Sequence, residues 1–394
     1  MGAQGSVATK AGEGEQLSNE FVSELEKACK ANDGKGDLEA FQGVWAGVTR
    51  DEVYDQDLIN DQVLRWVKFA VRHPNSAWRE EGIKIARSFF YLTSARLFFY
   101  KMDFVGSLLL ITLPDDGEGE EEEDEDQLDM QRDEALEEKS QQRQILAAEV
   151  VYDMADYEEF ALSLRDTRVL NFLCIVLNQV PAARETVTHT FQKLSDREDN
   201  LVVLMEGAVG DVLESFFKTV GKWCDDEKRL EEWTSHIPAL GHAAHTLGTL
   251  IKYGHQCQVD AATIIQVFDS TVGSGRKDLP DNVKLMAEMA RLLYWVCRGA
   301  DDLIEKLAEA NPNRADEKDS DYVLHTLLKM WSRCIETHAT IEDAIRCHQT
   351  KLPMSAAFAR FCVDDLDRSV GLGIGSPELQ DKIHYARMRL CFMS

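Results

Sequence analysis

Apolar residues recur at helical spacing along most of this chain. Leu38, Phe41, Trp45 and Val48, for example, lie three or four residues apart, so one face of a helix would carry all four. No stretch sustains the alternation of apolar and polar residues that is typical of a half-buried strand. Proline, which interrupts helices, accounts for only 8 of the 394 residues. The sequence therefore predicts an all-α fold.

Breaks in this periodicity divide the chain into five segments. The start is rich in glycine and small residues, an acidic run follows Pro114, and Gly371–Gly375 interrupts the pattern near the end. The predicted segments are a flexible N-terminal tail at 1–16, an N-terminal helical part at 17–114, an acidic disordered loop at 115–140, a helical array at 141–365, and a segment at 366–394 that holds a linker, a short amphipathic helix and a CaaX-like tail.

A weak repeat runs through the later part of the predicted array. Aromatic residues at predicted helix ends are followed closely by cysteines, as in Trp223-Cys224, Tyr253 and Cys257, Trp295 and Cys297, and Trp331 and Cys334. Successive cysteines are 33, 40 and 37 residues apart. This spacing resembles the ~40-residue period of armadillo and HEAT solenoids. The resemblance covers residues 40–365 without a diagnostic motif, and it implies a curved, protein-binding helical solenoid without catalysis. An irregular helical bundle with chance cysteine spacing is the alternative.

The acidic loop concentrates about half of the chain's net charge. The whole chain carries −27, and residues 115–139 hold fifteen acids against Arg132 and Lys139. Seven consecutive acids form its centre: Glu120, Glu121, Glu122, Glu123, Asp124, Glu125 and Asp126. Such blocks repel themselves and bury no apolar area, which favours a solvated, disordered loop. A docking site for a basic protein partner is the sharper alternative for these seven residues.

Overall charge and cysteine use restrict the class of protein. With 43 basic and 70 acidic residues, the chain is a poor candidate for a nucleic-acid-binding protein, which needs a basic face. The nine cysteines are odd in number and form no CxxC motif. Most of them sit among apolar residues, as Cys174 does, which is typical of reduced, buried thiols in the cytosol. We therefore expect a cytoplasmic protein.

The N-terminus matches the pattern for N-myristoylation. The chain begins Met1-Gly2-Ala3-Gln4-Gly5-Ser6, so methionine removal would expose Gly2 and leave a serine at the sixth position. Gly2 is the predicted acceptor and Ser6 the supporting motif residue. A chance match on a flexible tail is the alternative.

The C-terminus fits a CaaX motif. The last four residues are Cys391-Phe392-Met393-Ser394, and a terminal Ser394 favours farnesylation of Cys391. One myristoyl chain alone binds membranes only marginally, and no polybasic patch is present at either end to act as a second signal. A prenyl chain at Cys391 would supply that second signal. A terminal helix that buries Cys391 is the alternative.

No catalytic or metal-binding signature accompanies these features. His242 and His245 are three residues apart on a predicted helix, but their spacing to His255 and Cys257 matches no zinc motif. Neither HExxH, GxSxG nor a phosphate-binding glycine loop occurs. We therefore predict a non-enzymatic protein without cofactor or metal.

Together these patterns predict a lipid-anchored scaffold or adaptor that is peripheral on the cytosolic face of a membrane. Its candidate protein partners are a small GTPase, a cytoskeletal component or a trafficking factor, and the sequence does not select among them. The alternative function is a soluble structural subunit of a cytoskeletal or axonemal assembly, in which both chain ends are buried and unmodified.

Overall fold

A computed structural model describes residues 5–49, 60–112, 126–223 and 236–259, together with isolated positions between 263 and 296. These residues form twelve α-helices and no strand. The prediction of an all-α fold is therefore confirmed for this part of the chain, whereas the solenoid arrangement stays a prediction. None of the helices described there is long and apolar enough to cross a membrane.

The chain forms two compact units, Met1–Phe172 and Leu173–Ser394. In chain order the helices are α1 (Gly5–Gly34), α2 (Leu38–Thr49), α3 (Asp61–Val71), α4 (Ser76–Ser88), α5 (Thr93–Lys101), α6 (Phe104–Leu110), α7 (Asp126–Met154), α8 (Thr167–Gln179), α9 (Arg184–Ser195), α10 (Glu198–Glu206), α11 (Val209–Trp223) and α12 (Ile237–Lys252). Short 3-10 turns at Glu158–Phe160, Ser163–Arg165 and Pro181–Ala183 lie before and after α8.

Two helices begin earlier than the predicted segments suggest. Helix α1 starts at Gly5, within the stretch predicted to be a flexible tail. Helix α7 starts at Asp126, within the stretch predicted to be a disordered loop. Glutamate and glutamine are good helix formers, and Gln141 donates to Glu137 across one turn of α7 at 3.3 Å. Residues 113–125 and most of the chain after 259 lie outside the described part, so the predictions made there stay predictions.

A left-handed turn reverses the chain between α1 and α2. Asn32, Asp33, Gly34 and Gly36 all have positive φ angles, between 53° and 86°. Backbone hydrogen bonds stabilise the turn; in one of them, Gly36 N donates to Ala31 O at 2.9 Å. Asparagine, aspartate and glycine are the residues that adopt this conformation at least cost, which explains why the helix reverses at this sequence.

An aromatic cluster joins the first helices of the N-terminal unit. The rings of Phe21 and Trp45 lie 5.1 Å apart, those of Phe41 and Trp78 lie 4.9 Å apart, and those of Trp45 and Phe89 lie 5.5 Å apart. All five side chains are buried. The cluster therefore packs α1, α2 and α4 around one apolar centre, with an edge-to-face contact between Phe21 and Trp45 and tilted contacts in the other two pairs.

Helices α3 and α4 approach each other most closely at Gly82. A Cβ atom built on Gly82 would lie 2.6 Å from the backbone nitrogen of Val71 and 2.8 Å from Ala70. Backbone atoms cannot move aside as a flexible side chain can, so the contact requires a residue without a side chain at this position.

Arg96 fixes α5 to the 3-10 turn after α7. Its guanidinium donates a hydrogen bond to Glu159 Oε1 at 2.9 Å, and the central carbon of the guanidinium lies 4.4 Å from the centre of the Tyr157 ring. Both Arg96 and Glu159 are largely shielded from solvent. The hydrogen bond from Arg96 lowers the pKa of the Glu159 carboxyl below its ordinary value of 4.5.

The second unit is built around the packing of α9 against α12. Helix α12 is buried almost all round, and Ala239, Leu240, Ala243 and Leu247 have no exposed surface. Alanines and glycines on α12 let its backbone approach its neighbours closely. Helices α10 and α11 both contact α12 as well.

We expect opposite stability changes from two glycine-to-alanine substitutions. Gly82→Ala should lower the free energy of unfolding by about 1–3 kcal/mol, because the added methyl group collides with the α3 backbone. Gly43→Ala is the matched control: Gly43 is exposed inside α2 with open space around it, so the change should raise stability by about 0.5–1 kcal/mol. Urea denaturation of both variants checks the signs, and equal effects would contradict the close α3–α4 contact.

The Arg96–Glu159 ion pair should make stability depend on pH. A carboxyl whose pKa is lowered on folding stabilises the protein above its ordinary pKa, and that contribution is lost as the pH falls through the lower folded value. We expect Glu159→Gln to reduce the free energy of unfolding by about 1 kcal/mol at about pH 7 and to converge on the parent protein at an acidic pH below the lowered pKa of Glu159. Glu158→Gln, on the same turn but exposed, should change little at either pH. A pH-independent difference for Glu159→Gln would contradict the assignment.

Candidate functional site

The site residues predicted from the sequence lie largely outside the described part of the chain. This holds for Gly2, Cys391, Ser394 and residues 120–125. Ser6 and Asp126 fall in the first turns of α1 and α7, where the structure gives backbone only. The lipidation motifs and the acidic docking site therefore stay predictions.

The structure shows a recess in the N-terminal unit that the sequence analysis missed. Its volume is about 800 Å³, within the range of small-molecule binding sites. The α1–α2 turn forms one wall, and the C-terminal half of α3 with the α3–α4 turn forms the other. Its lining residues are Gly34, Lys35, Arg65, Lys68, Phe69, Arg72, His73, Pro74, Asn75 and Trp78. We call this recess the basic pocket.

His73 ties the two walls of the basic pocket together. Its Nδ1 accepts a hydrogen bond from the backbone N–H of Asn75 at 3.1 Å. Its Nε2 lies 2.9 Å from the carbonyl oxygen of Lys35, to which it donates. A neutral imidazole with its proton on Nε2 satisfies both contacts. The ring is buried, so both of its nitrogens are committed to holding the turns in place.

The α3–α4 turn is also rigid. The side-chain oxygen of Asn75 caps α4 by accepting from the backbone N–H groups of Ala77 at 2.9 Å and Trp78 at 3.3 Å. Arg79 donates to the carbonyl oxygens of His73 and Pro74. The exposed polar groups of the turn are thereby satisfied within the turn itself.

Trp78 forms the aromatic floor of the basic pocket. Its ring stacks on His73 at a centroid distance of 5.0 Å and meets Phe69 edge-on at 5.7 Å. On the opposite side, a Cβ atom built on Gly36 would lie 2.5 Å from the Trp78 ring. Because Gly36 lacks a side chain, the backbone of the α1–α2 turn can rest directly on the indole.

Four cations surround this floor. Arg65, Lys68 and Arg72 are three and four residues apart on α3 and its C-cap, so they share one face, and Lys35 faces them from the α1–α2 turn. Among the lining residues none is acidic. In the described part of the chain, no carboxylate pairs with Lys35, Arg65 or Lys68.

Arg72 has a partial structural role besides its charge. Its guanidinium donates to the backbone carbonyl of Met102, at the C-cap of α5. This bond fixes the direction of the side chain while leaving its positive charge unneutralised. Among the described residues, Lys35, Arg65 and Lys68 have no fixed partner of this kind, so their side chains can reorient toward a ligand more easily than that of Arg72, whose remaining N–H groups still face the recess.

Helix dipoles do not decide the sign of the potential here. The C-terminus of α3 carries partial negative charge, and the N-terminus of α4 carries partial positive charge. Both ends meet at the same turn, so their effects oppose each other. The side chains that line the recess therefore carry four positive charges and no negative charge, an arrangement that suits an anion.

A sequence signal for the basic pocket did exist. Residues 62–79 contain Arg65, Lys68, Arg72 and Arg79 but no acidic residue. The large negative net charge obscured this local excess. Lys35 is 30 residues away from Arg65 along the chain, so its contribution became visible only with the fold.

His242 and His245 of the second unit are buried and have polar partners. The rings of His189 and His242 stack at 4.1 Å and 8°, and His242 Nδ1 bonds to the side-chain oxygen of Gln192. His245 lies between two carboxylates, with Nε2 2.7 Å from Asp196 and Nδ1 3.1 Å from Glu288. Within the described residues, no group of three or more His, Cys, Asp or Glu side chains could hold a metal ion.

The described cysteines are weak nucleophiles. Burial raises the pKa of Cys29 and of Cys257 to about 12, and that of Cys174 to about 11. Since the thiolate is the reactive form, these three thiols are almost entirely protonated at neutral pH. Cys29 and Cys174 are buried and contribute packing volume to the core.

Comparisons with known proteins leave the site to be interpreted from its own geometry. No protein-family model, no curated protein and no solved structure matches the chain.

Proposed function

We propose that the protein is a non-enzymatic helical adaptor that binds an anionic ligand in the basic pocket while lipid chains hold it at the cytosolic face of a membrane. The observation that supports the proposal is the cluster of four cations around Trp78 without an acidic lining residue. In a chain of net charge −27, such a cluster needs a specific explanation.

Electrostatics explains how a basic pocket functions on an acidic protein. Like charges destabilise one another, so Arg65, Lys68 and Arg72 on one face of a helix cost stability when no anion is present. An anion that enters the pocket removes this repulsion. Charges elsewhere on the surface act weakly across more than ~8 Å at physiological salt, so the local cations govern binding.

The chemistry of the lining favours binding over catalysis. Arginine and lysine are permanent cations at neutral pH, whereas acid–base catalysis needs a group that titrates near the working pH. Histidine is the residue type that most often serves as a general acid or base. Both ring nitrogens of His73, however, already form hydrogen bonds with the backbone of the two turns. The basic pocket is therefore suited to bind a ligand without catalysing a reaction of it.

Membrane attachment is the second part of the proposal. It is supported by the motifs at Gly2 and Ser6 and at Cys391 and Ser394. Two lipid chains together give stable anchoring, which one myristoyl chain does not. The seven acids at 120–126 would then be available to a basic protein partner.

Anion binding is tested by thermal unfolding in a panel of multivalent anions. A ligand that binds only the folded state raises the melting temperature. We expect citrate, sulfate or phosphate to raise it by a few degrees relative to sodium chloride of equal ionic strength. Arg65→Gln with Lys68→Gln should abolish the rise, because both side chains line the pocket.

The matched control is Lys27→Gln with Lys101→Gln. Both lysines are exposed on the same unit and lie outside the pocket, so the double variant loses the same charge and should keep the anion response. An equal response in all three proteins would assign it to general salt effects and would refute the pocket.

Membrane attachment is tested by intact-mass analysis of protein purified from its native cells. We expect mass additions of a myristoyl group and a prenyl group, the first lost in Gly2→Ala and the second in Cys391→Ser. Unmodified protein from those cells would remove the membrane part of the proposal and leave the pocket unaffected.

A further inference from the structure

We infer that the ligand of the basic pocket is a compact, multiply phosphorylated ring, such as a polyol phosphate, supplied either free in solution or as the headgroup of a lipid. This inference rests on the proposed function, because it names the class of anion that the pocket binds.

The number of cations indicates a polyvalent ligand. Arg65, Lys68 and Arg72 line one wall, and Lys35 faces them. A single carboxylate would neutralise one of the four charges and leave the others repelling one another. Several phosphate groups on one small molecule would engage all four at once.

The type of cation favours phosphate over carboxylate. Two of the four are arginines, whose planar guanidinium donates two parallel hydrogen bonds to a phosphate. The other two are lysines, which act as compact point charges and tolerate variable geometry. A mixture of this kind suits a tetrahedral oxyanion that offers acceptors in several directions.

The shape of the basic pocket selects a compact molecule. Its volume of about 800 Å³ accommodates a small molecule, whereas an extended acidic polymer needs a long basic groove. The net charge of −27 would also repel a polymer whose charges continue beyond the pocket. A small polyphosphate avoids this repulsion because its charges all lie among the four cations.

The floor of the pocket suits a ring. Phe69 is half-buried and His73 and Trp78 are buried, and the three rings together form the apolar base of the pocket between the cationic residues. Ligand sites commonly combine apolar surface with a few polar groups that fix orientation. A ring lying on this floor would project its phosphates outward to Lys35 on one side and to the α3 cations on the other.

The inference is tested by calorimetric titration with two six-membered rings, one of which carries six phosphate groups and the other six carboxylate groups. The probes are myo-inositol hexakisphosphate and benzenehexacarboxylate. We expect the phosphate to bind at least tenfold more tightly than the carboxylate. Arg65→Gln with Lys68→Gln should weaken phosphate binding at least tenfold, whereas Lys27→Gln with Lys101→Gln should leave it unchanged.

Each other outcome of the titration has a definite meaning. Equal affinity for both probes, lost in the pocket variant, would overturn the phosphate inference but keep anion binding. Binding of the phosphate that is unchanged in the pocket variant would overturn both proposals. Arg65→Lys with Lys68→Arg preserves the charge, and retained binding there would show that lost binding is not a folding defect.

Vesicle flotation distinguishes the two sources of the phosphate. The probes are phosphatidylcholine vesicles with phosphatidylinositol bisphosphate or with phosphatidylserine at equal total charge, mixed with protein that carries no lipid. Recruitment by the bisphosphate vesicles alone, reversed by inositol hexakisphosphate, would assign a lipid headgroup. No recruitment, with phosphate binding retained in calorimetry, would assign a free ligand.

Discussion

The hydrogen bonds of His73 hold the geometry on which the N-terminal unit depends. One buried imidazole accepts from the turn between α3 and α4 and donates to the turn between α1 and α2. Turns are where helical proteins have most freedom, because no helix ladder constrains them. Here the α1–α2 turn needs left-handed residues through Gly36, and its backbone rests on the Trp78 ring. The same contacts that stabilise the helix packing thus position Lys35 opposite the cations of α3. The basic pocket is therefore a consequence of how the first four helices pack, and a change in either turn would alter both.

The sequence predicted the helices well and the pocket not at all, and the reason is physical. Helical periodicity is a local property, so Phe41 and Trp45 can be assigned to a buried face from their spacing alone, and both are buried. The pocket depends on a contact between residues 35 and 73, which are far apart in sequence. Nothing in the local pattern indicates that Lys35 O would accept a hydrogen bond from His73. The start of α7 at Asp126 differs from the predicted loop for a related reason. Repulsion between neighbouring glutamates disfavours a helix, whereas the intrinsic helix propensity of glutamate favours one. Composition alone does not show which of the two effects prevails.

The buried histidines of α12 and the cations of the basic pocket differ in how they avoid the cost of desolvation. His242 and His245 are buried in the second unit, and each has a side-chain partner on or next to α9. Burying a polar group without a partner costs a few kcal/mol, so such groups persist only where a partner is in place. The cations of the basic pocket differ, because Arg65 is exposed and Lys68 half-buried. They avoid the cost of desolvation by keeping their contact with water. Because these cations are exposed or half-buried, a ligand can replace the water molecules around them. The buried histidines have no such access to solvent.

If the proposed ligand binds, these cations would couple its binding to the folding of the N-terminal unit. Arg65, Lys68 and Arg72 share one face of α3 and its C-cap, where like charges repel one another. A bound polyanion would turn this repulsion into attraction, so the folded state would gain free energy with ligand concentration. The coupling also constrains where the ligand can act. Its contacts reach α1, α3 and α4, which share one core, so binding would rigidify the helices of that core together. An adaptor built in this way would be best ordered where its anionic ligand is abundant, and an anionic membrane surface is one such place.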